Sequence, residues 1–237
     1  LPHAMTVSTD TDTRILADAL TRGDGGRIAL WSDLRSDIAG NLSARGGAQG
    51  GDGGFVEASS AGSVRYRGLA DLRAPVGDWG DLLIDPTDIS VPGTITEAVV
   101  EEALARGSLI LDTSEREDSL PGNITLSADI DWTAPTTFTL LADNDITISG
   151  AINGRNGGLS LSAEGDIDVT GAVNVDTFRL QSGNWTQIGA ALPAFSARDF
   201  RIDGFDARFL RALRGTGTAA NPYVLTDVYG LQGMDSA

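Results

Sequence analysis

The sequence predicts an all-β protein built as a β-solenoid, with one short inserted α-helix near residues 94–106. Three observations lead to this prediction: the chain contains repeats of roughly 20–28 residues, apolar and polar residues alternate within each repeat, and glycine or asparagine marks the corners. A single repeat of this size cannot bury its own apolar side chains, so the repeats must stack and share one core. Propeller blades need about 40 residues and helical repeats need a 3.6-residue period, and neither pattern is present.

The first coils are predicted from a repeat in the amino-terminal part of the chain. The string GDGGRIALWS begins at Gly23, and the similar string GDGGFVEASS begins at Gly51. A third copy, WGDLLIDP, brings Leu82 opposite Val56 at a slightly shorter offset. A change of loop length on one side of a coil would produce this variation in offset.

A second series of repeats is shorter. LADNDITISGAI, from Leu141, aligns with SAEGDIDVTGAV, from Ser162. Within both copies the apolar residues recur at every second position, which is typical of half-buried strands and not of helices. Asn144 aligns with Gly165, and both residue types tolerate positive φ, so a shared corner between two short strands is expected here.

One segment departs from the strand pattern. TITEAVVEEALARG predicts a helix, with Thr94 and Glu97 as a capping box and Gly107 as its end. Its apolar residues form one stripe, which we expect to lie against the side of the solenoid. The predicted organisation is a cloning remnant at 1–5, coils at 6–92, the helical insertion at 93–108, coils at 109–180, and less regular coils of the same solenoid at 181–237.

The composition limits the partners and the chemistry. The chain has 33 acidic and 17 basic residues, a net charge of −16, which argues against nucleic acid and anionic lipid because both require clustered cations. It has no cysteine, and its only histidine is His3, within the cloning remnant. Disulfides, thiolate metal sites, histidine triads and zinc sites are therefore not expected. No run of eighteen apolar residues occurs, so no membrane insertion is expected.

Acidic residues at one predicted corner are candidate calcium ligands. Asp143 and Asp145 align with Glu164 and Asp166, so adjacent coils would stack four carboxylates. Like charges at strand spacing repel one another, and a bound Ca²⁺ would relieve the repulsion. The favoured alternative is that these acids are solvated and point apart into water. No other cofactor is expected.

Arginines and phenylalanines are interleaved near the carboxyl-terminal end. Arg201 and Arg208 are candidate ligand-binding residues, because arginine beside an aromatic ring can recognise acidic sugars or phosphate. The favoured alternative is structural, with the phenylalanines closing the end of the core and the arginines pairing with nearby aspartates. The residues of this alternative are Phe195, Phe200, Phe205 and Phe209, the five arginines between 198 and 214, and Asp199, Asp203 and Asp206.

Three tryptophans are candidate platforms for a sugar ring. Alternation turns Trp31 outward, and Trp185 lies in the polar stretch GNWTQ, interpreted as a loop. Trp132 follows Asp129 and Asp131, the best local candidate for the two convergent carboxylates that glycoside cleavage requires. The favoured alternative is surface acids beside a tryptophan that packs over the sheet. No catalytic residue is therefore assigned, and the chain is not expected to be an enzyme.

Several strings resemble filamentous haemagglutinin-type exoproteins, the large adhesins that Gram-negative bacteria export by two-partner secretion. They are GNLSARGGAQGGDGGFVEASSAG, GDLLIDPTDISV, the strand repeats and ANPYVLTDVYGLQGM, and the similarity runs from about Thr13 to Met234. The amino-terminal secretion domain of that family carries an NPNG-like motif that does not occur here. The chain thus resembles an internal or late portion of such a protein.

The resemblance implies a right-handed parallel β-helix at the cell surface or outside the cell. It also implies a role in attachment, aggregation or biofilm formation. The expected partners are a host or bacterial surface glycan or protein and, for the full-length protein, an outer-membrane secretion partner; the segment itself is expected to be monomeric. The alternatives are a polysaccharide-active β-helix enzyme, either lyase or hydrolase, and a carbohydrate-binding module.

Overall fold

A computed structural model describes residues 4–114 and 122–236, and it confirms the predicted all-β solenoid, with parallel strands in about eight turns. The amino-terminal strands are β1 (Thr6–Ser8), β2 (Arg14–Leu16), β3 (Arg27–Ser32), β4 (Arg35–Ile38), β5 (Asn41–Ser43), β6 (Phe55–Ser60), β7 (Ser63–Tyr66), β8 (Leu69–Asp71), β9 (Asp81–Asp85) and β10 (Ile89–Val91). Helix α1 (Glu97–Leu104) follows them. The later elements are β11 (Ser108–Asp112), β12 (Ile124–Leu126), β13 (Ile130–Trp132), β14 (Thr137–Ala142), β15 (Ile146–Ile148), β16 (Ile152–Ala163), β17 (Asp166–Val169), β18 (Val173–Leu180), β19 (Gly183–Ile188), β20 (Phe195–Ile202), β21 (Ala207–Ala212) and α2 (Val228–Gly233).

Equivalent strands of successive turns pair in parallel and form three walls. The first wall runs without interruption in the order β3, β6, β9, β11, β14, β16, β18, β20. The second wall consists of two sheets, β1-β4-β7 and then β10-β12-β15-β17-β19-β21. The third wall begins with β2-β5-β8 and continues with β13 and the first residues of β16, β18 and β20.

The strand register agrees with the repeats of the sequence. Ile28 lies beside Val56, and Val56 lies beside Leu82, as the repeated GDGG strings and their third copy predicted. Ile146 lies beside Ile167, as the alignment of the second series predicted. The two repeat series therefore stack on one another as expected.

The core is one column of inward side chains that runs through the stack. Along the first wall the fully buried members include Val56, Leu82, Leu109, Phe138 and Phe178. Burying each such side chain stabilises the fold by about 1.5–3 kcal/mol. Since these residues come from different turns, no turn could keep its share of this stabilisation without its neighbours.

Helix α1 occupies the place of a strand in the third wall. It contacts β8 and β13. Its own side chains Val100, Ala103 and Leu104 are buried. The predicted capping box is wrong: the residue that precedes the helix is Thr96, whose side chain makes no capping hydrogen bond. The hydroxyl of Thr94 instead accepts a hydrogen bond from the N–H of Ser90 (3.2 Å), so the preceding turn holds it.

The carboxyl-terminal part is regular as far as Ala212 and consists of turns, isolated bridges and a short helix beyond it. Strands β19 to β21 extend the existing sheets as far as Ala212. Beyond them α2, which the sequence analysis did not predict, covers the last turn, and the hydroxyl of Tyr229 bonds to both the N–H and the carbonyl of Ala197 (2.9 and 3.0 Å). Neither helix in the described part of the chain has the length and apolarity needed to cross a bilayer.

Candidate functional site

A cleft of about 730 Å³ lies where the first wall turns into the second, near the carboxyl-terminal end of the rod. Three successive turns contribute to it, through the corners that follow β16, β18 and β20. Because neighbouring turns are about 4.8 Å apart, the cleft extends for roughly 10 Å along the rod axis. We call it the corner cleft; it is lined by Ala163, Glu164, Ser182, Gly183, Asn184, Phe205, Asp206 and Arg208.

The side chain of Phe205 is the most exposed apolar group of the described chain, with a relative exposure of 109%. It sits in the loop between β20 and β21, which is longer than the two preceding corners. Gly204 allows this loop to fold back, since a Cβ there would overlap the carbonyl oxygen of Gln181. The loop therefore turns Phe205 away from the core, and the expectation that this residue closes the core is wrong.

The other three phenylalanines do close the core, as the structural alternative proposed. Phe195, Phe200 and Phe209 pack with Phe178 and Trp185, with ring centroids 4.9–5.9 Å apart. Offset and edge-to-face contacts of this kind stabilise a core beyond simple burial. Phe205 has no place in this cluster and is available to a ligand.

The charged side chains of the corner cleft are free. Among residues 4–114 and 122–236, Glu164, Asp206 and Arg208 have no ion-pair partner within 4 Å. The amide of Asn184 donates to Oδ1 of Asp166 at the margin of the cleft (3.4 Å). An aromatic face, a cation, an amide and two carboxylates are thus presented to solvent together, and these are the groups that bind sugars through ring stacking and hydroxyl hydrogen bonds.

A second cleft, of about 510 Å³, opens on the end of the rod. Phe200 and Ile202 line it, together with residues that include the segment around α2. Phe205 also lines it, so this residue borders both the end cleft and the corner cleft. A ligand that stacks on Phe205 could contact either side.

The four predicted calcium ligands are not gathered into one cluster. The carboxylate of Asp145 accepts a hydrogen bond from the N–H of Asp166 in the next turn (2.8 Å), and thereby holds two turns together. In the described part of the chain there is no group of three or more histidine, cysteine, aspartate or glutamate residues that could hold a metal, so Asp143, Asp145, Glu164 and Asp166 are not gathered. Glu164 lines the corner cleft instead.

Two of the three candidate tryptophans are in the core. Trp185 is fully buried, beside Ile167 and Phe209 in the second wall, so its interpretation as a loop residue is wrong. Trp132 is only 5% exposed, and a register shift in β16 between Gly154 and Gly158 makes room for its ring. Neither ring presents an open face to solvent, although Trp132 borders the cleft beside α1. Trp31 lies on the outer face, as alternation predicted, and is 37% exposed.

The candidate arginines differ in their surroundings. Arg201 pairs with Asp199 (2.5 Å), as the structural alternative proposed. Arg208 lies in the corner cleft, beside Asn184 in the register of the second wall. Only Arg208 is therefore placed with other groups that could hold a ligand.

The acids proposed for glycoside cleavage lie on the surface and contact the next turn. Asp129 accepts a hydrogen bond from the N–H of Ala151 (2.7 Å), and Asp131 accepts one from the amide of Asn153. Asp131 also lines a cleft of about 400 Å³ next to α1, together with Glu101, Asn153 and Arg155. We call this the helix cleft.

Sequence reasoning missed Phe205 as an exposed residue and missed Asn184 and Glu101 altogether. The length of the corner loop was the available signal for Phe205, because extra residues at a corner must project outward. No comparable signal marks Glu101, which reaches its partner only because α1 replaces a strand. A comparison with protein-family models and one with curated proteins found no match to this chain.

Proposed function

We propose that this chain is a segment of a secreted or surface-displayed bacterial adhesin, and that the corner cleft is where it holds a glycan. The observation that carries the proposal is the exposed ring of Phe205 in one cleft with charged side chains that have no ion-pair partner among the described residues. Aromatic rings stack on the apolar faces of sugars, and arginine, asparagine and carboxylates bond to the hydroxyls. The strings that resemble filamentous haemagglutinin-type exoproteins support the adhesin context.

The shape of the rod also suits attachment. Parallel backbone ladders stiffen it along its axis, and the cleft lies at the end that α2 covers. The corner cleft crosses three turns, so a sugar chain lying along the axis would contact each of them. An elongated support with a shallow lateral site is suited to gripping a polymer and not to enclosing a small substrate.

The test is binding to immobilised glycans by the wild-type protein and by Phe205→Ala. Because Phe205 touches no core residue in the aromatic cluster, this substitution should leave the folded structure intact while reducing glycan retention at least about tenfold. The matched control is Leu20→Ala, which removes another strongly exposed apolar side chain (89%) at the opposite end of the rod. Retention that is equal for the wild type and both variants, or absent for all three, would overturn the proposal.

A polysaccharide-active enzyme is the second candidate, and the helix cleft is the observation that favours it. Glu101 and Asp131 share this cleft with Arg155, so two carboxylates are close to one cation. Cleavage of a polysaccharide that Asp131→Asn abolishes, while Asp129→Asn retains it, would support this function. Retention of soluble, uncleaved polymer would support the adhesin.

A further inference from the structure

We propose that the glycan held in the corner cleft is a hexosamine polymer that carries free amino groups; this inference rests on the proposed function. The cleft holds the carboxylates of Glu164 and Asp206 and the guanidinium of Arg208, and the carboxylate of Asp166 lies at its margin. The cleft and its margin therefore carry more negative than positive charge.

The charge of the whole chain acts in the same direction. A net charge of −16 repels polymers of uronic acid or sulfated sugar at low ionic strength and attracts polymers that carry ammonium groups. Neutral sugars gain nothing from this field. Glu164 and Asp206 are exposed and have no ion-pair partner among the described residues, so each can accept a charge-assisted hydrogen bond from an ammonium group without breaking an existing contact.

Phe205 adds a second preference for a cationic sugar. An ammonium group over an aromatic face is attracted by the ring's quadrupole, in addition to the stacking that any sugar ring provides. Glu164 and Phe205 belong to corners two turns apart, roughly 10 Å along the axis. A linear chain that runs parallel to the rod can thus place one ring on Phe205 and an amino group near Glu164.

Arg208 is the single cation of the cleft, and its position is compatible with this ligand. It projects from β21 beside Asn184, on the second wall, whereas Asp206 belongs to the loop before β21. Its planar donors suit hydroxyl and ring oxygens, which every hexosamine carries. Its charge reduces the excess of negative charge in the cleft but does not cancel it.

The test compares two soluble oligomers of equal length, one of β-1,4-linked glucosamine and one of its N-acetylated form, by calorimetric titration of the intact protein. At low salt and at a pH where the amine is protonated, we expect the amino form to bind roughly tenfold more tightly. The preference should shrink as salt is added, because it depends on exposed charges. A uronic acid oligomer should bind more weakly than either.

Two double variants separate the local charges from the general field. Glu164→Gln with Asp206→Asn should reduce the preference to about unity, because it weakens binding of the amino form much more than binding of the N-acetylated form. The control, Asp12→Asn with Glu97→Gln, removes the same charge at exposed positions outside the cleft and should keep the preference. Equal affinity of the wild type for both oligomers, lost in Phe205→Ala, would overturn this inference and leave the proposed function standing. Failure of every oligomer to bind would also overturn this inference, whereas the proposed function falls only if the protein retains none of the immobilised glycans.

Discussion

The carboxylate of Asp227 accepts a hydrogen bond from the buried guanidinium of Arg211, with Oδ2 and Nε 2.7 Å apart. Its other oxygen accepts the N–H of Gly230 in α2 (2.8 Å). One side chain therefore attaches the covering helix to the last strand. Burial on its own would raise the pKa of Asp227, but the N–H of Gly230 and the guanidinium of Arg211 together lower it below its ordinary value.

We expect Asp227→Asn to lower the free energy of unfolding by on the order of 3 kcal/mol, because it leaves the charge of Arg211 buried without a counter-ion. The lowered pKa also gives a pH dependence. The stabilisation is present above the unfolded pKa, about 3.9, and is lost as the pH falls through the lower folded value. Urea denaturation between pH 2 and 7 measures both effects.

The control is Asp176→Asn, which breaks the exposed pair of Asp176 with Arg198 (2.6 Å). Water screens an exposed pair of this kind, so its loss should change the free energy of unfolding much less than the loss of Asp227. Equal losses in the two variants would contradict the assignment of Asp227 as the anchor of α2.

Asp81→Asn is expected to have the opposite effect on stability. Partial burial raises the pKa of Asp81, and among the described residues its carboxylate has no hydrogen bond or ion pair. A raised folded pKa means that the relative stability is greatest below the unfolded pKa and is lost as the pH rises through the folded value. The neutral amide should therefore increase the free energy of unfolding at pH 7, and the exposed Asp78→Asn should leave it unchanged. A destabilised Asp81→Asn protein would show that the carboxylate has a partner.

We expect that β16 can keep its shifted register only with glycine at position 154, because the ring of Trp132 lies against that residue. A Cβ at Gly154 would overlap the indole ring, so Gly154→Ala should destabilise the protein by about 3 kcal/mol. In a Trp132→Leu background the same substitution should be much less damaging, and a double-mutant cycle of thermal unfolding measures the coupling. The control is Gly189→Ala, where a Cβ would have only ordinary contacts. Additive effects of the two substitutions would contradict this account.

We expect Glu101 to supply a hydrogen-bond acceptor for a backbone N–H at the point where α1 interrupts the third wall. Its Oε1 accepts the N–H of Asp131 in β13 (3.0 Å), a donor that a neighbouring strand would otherwise bind. Glu101→Ala should reduce stability by about 1 kcal/mol and accelerate hydrogen exchange at the amide of Asp131. Glu101→Gln, which keeps an acceptor oxygen, should restore most of the protection. Unchanged exchange in Glu101→Ala would show that water serves that N–H equally well.

The stacking of turns could be predicted wherever the repeated strings remain recognisable. Val56 and Leu82 were placed opposite each other from sequence strings alone, and the register confirms it. Trp185 was misplaced because the turn that brings it beside Ile167 is shorter than the preceding turn, which brings Ile167 beside Ile146. Without the repeat as a guide, a polar stretch around one tryptophan looks like a loop.

The corner cleft could be predicted only in part. Arg208 and Glu164 were both singled out, but for different sites, and only the fold shows that they line one cleft. The length of its corner loop was a usable signal for the exposure of Phe205, but the close approach of Gly204 to Gln181, which lets the loop fold back, is a contact between turns that the sequence does not show. The sequence also did not show that α1 replaces a strand of the third wall. An amphipathic helix can either lie against the outside of a solenoid or fill the position of a missing strand.

Only the first wall is continuous from the first turn to the last in the described chain, since the second wall divides between β7 and β10 and the third at α1. Both divisions fall at the same level of the rod. Outside the first wall, that level is crossed by isolated backbone bonds, such as those from the N–H of Tyr66 to the carbonyl of Thr94 (2.9 Å) and from the N–H of Leu72 to the carbonyl of Arg106 (3.1 Å). Tension applied along the axis would there be carried mainly by one continuous ladder, so that level is where the rod should bend and, under load, separate first. A tether built this way would separate into two intact halves instead of unravelling from one end.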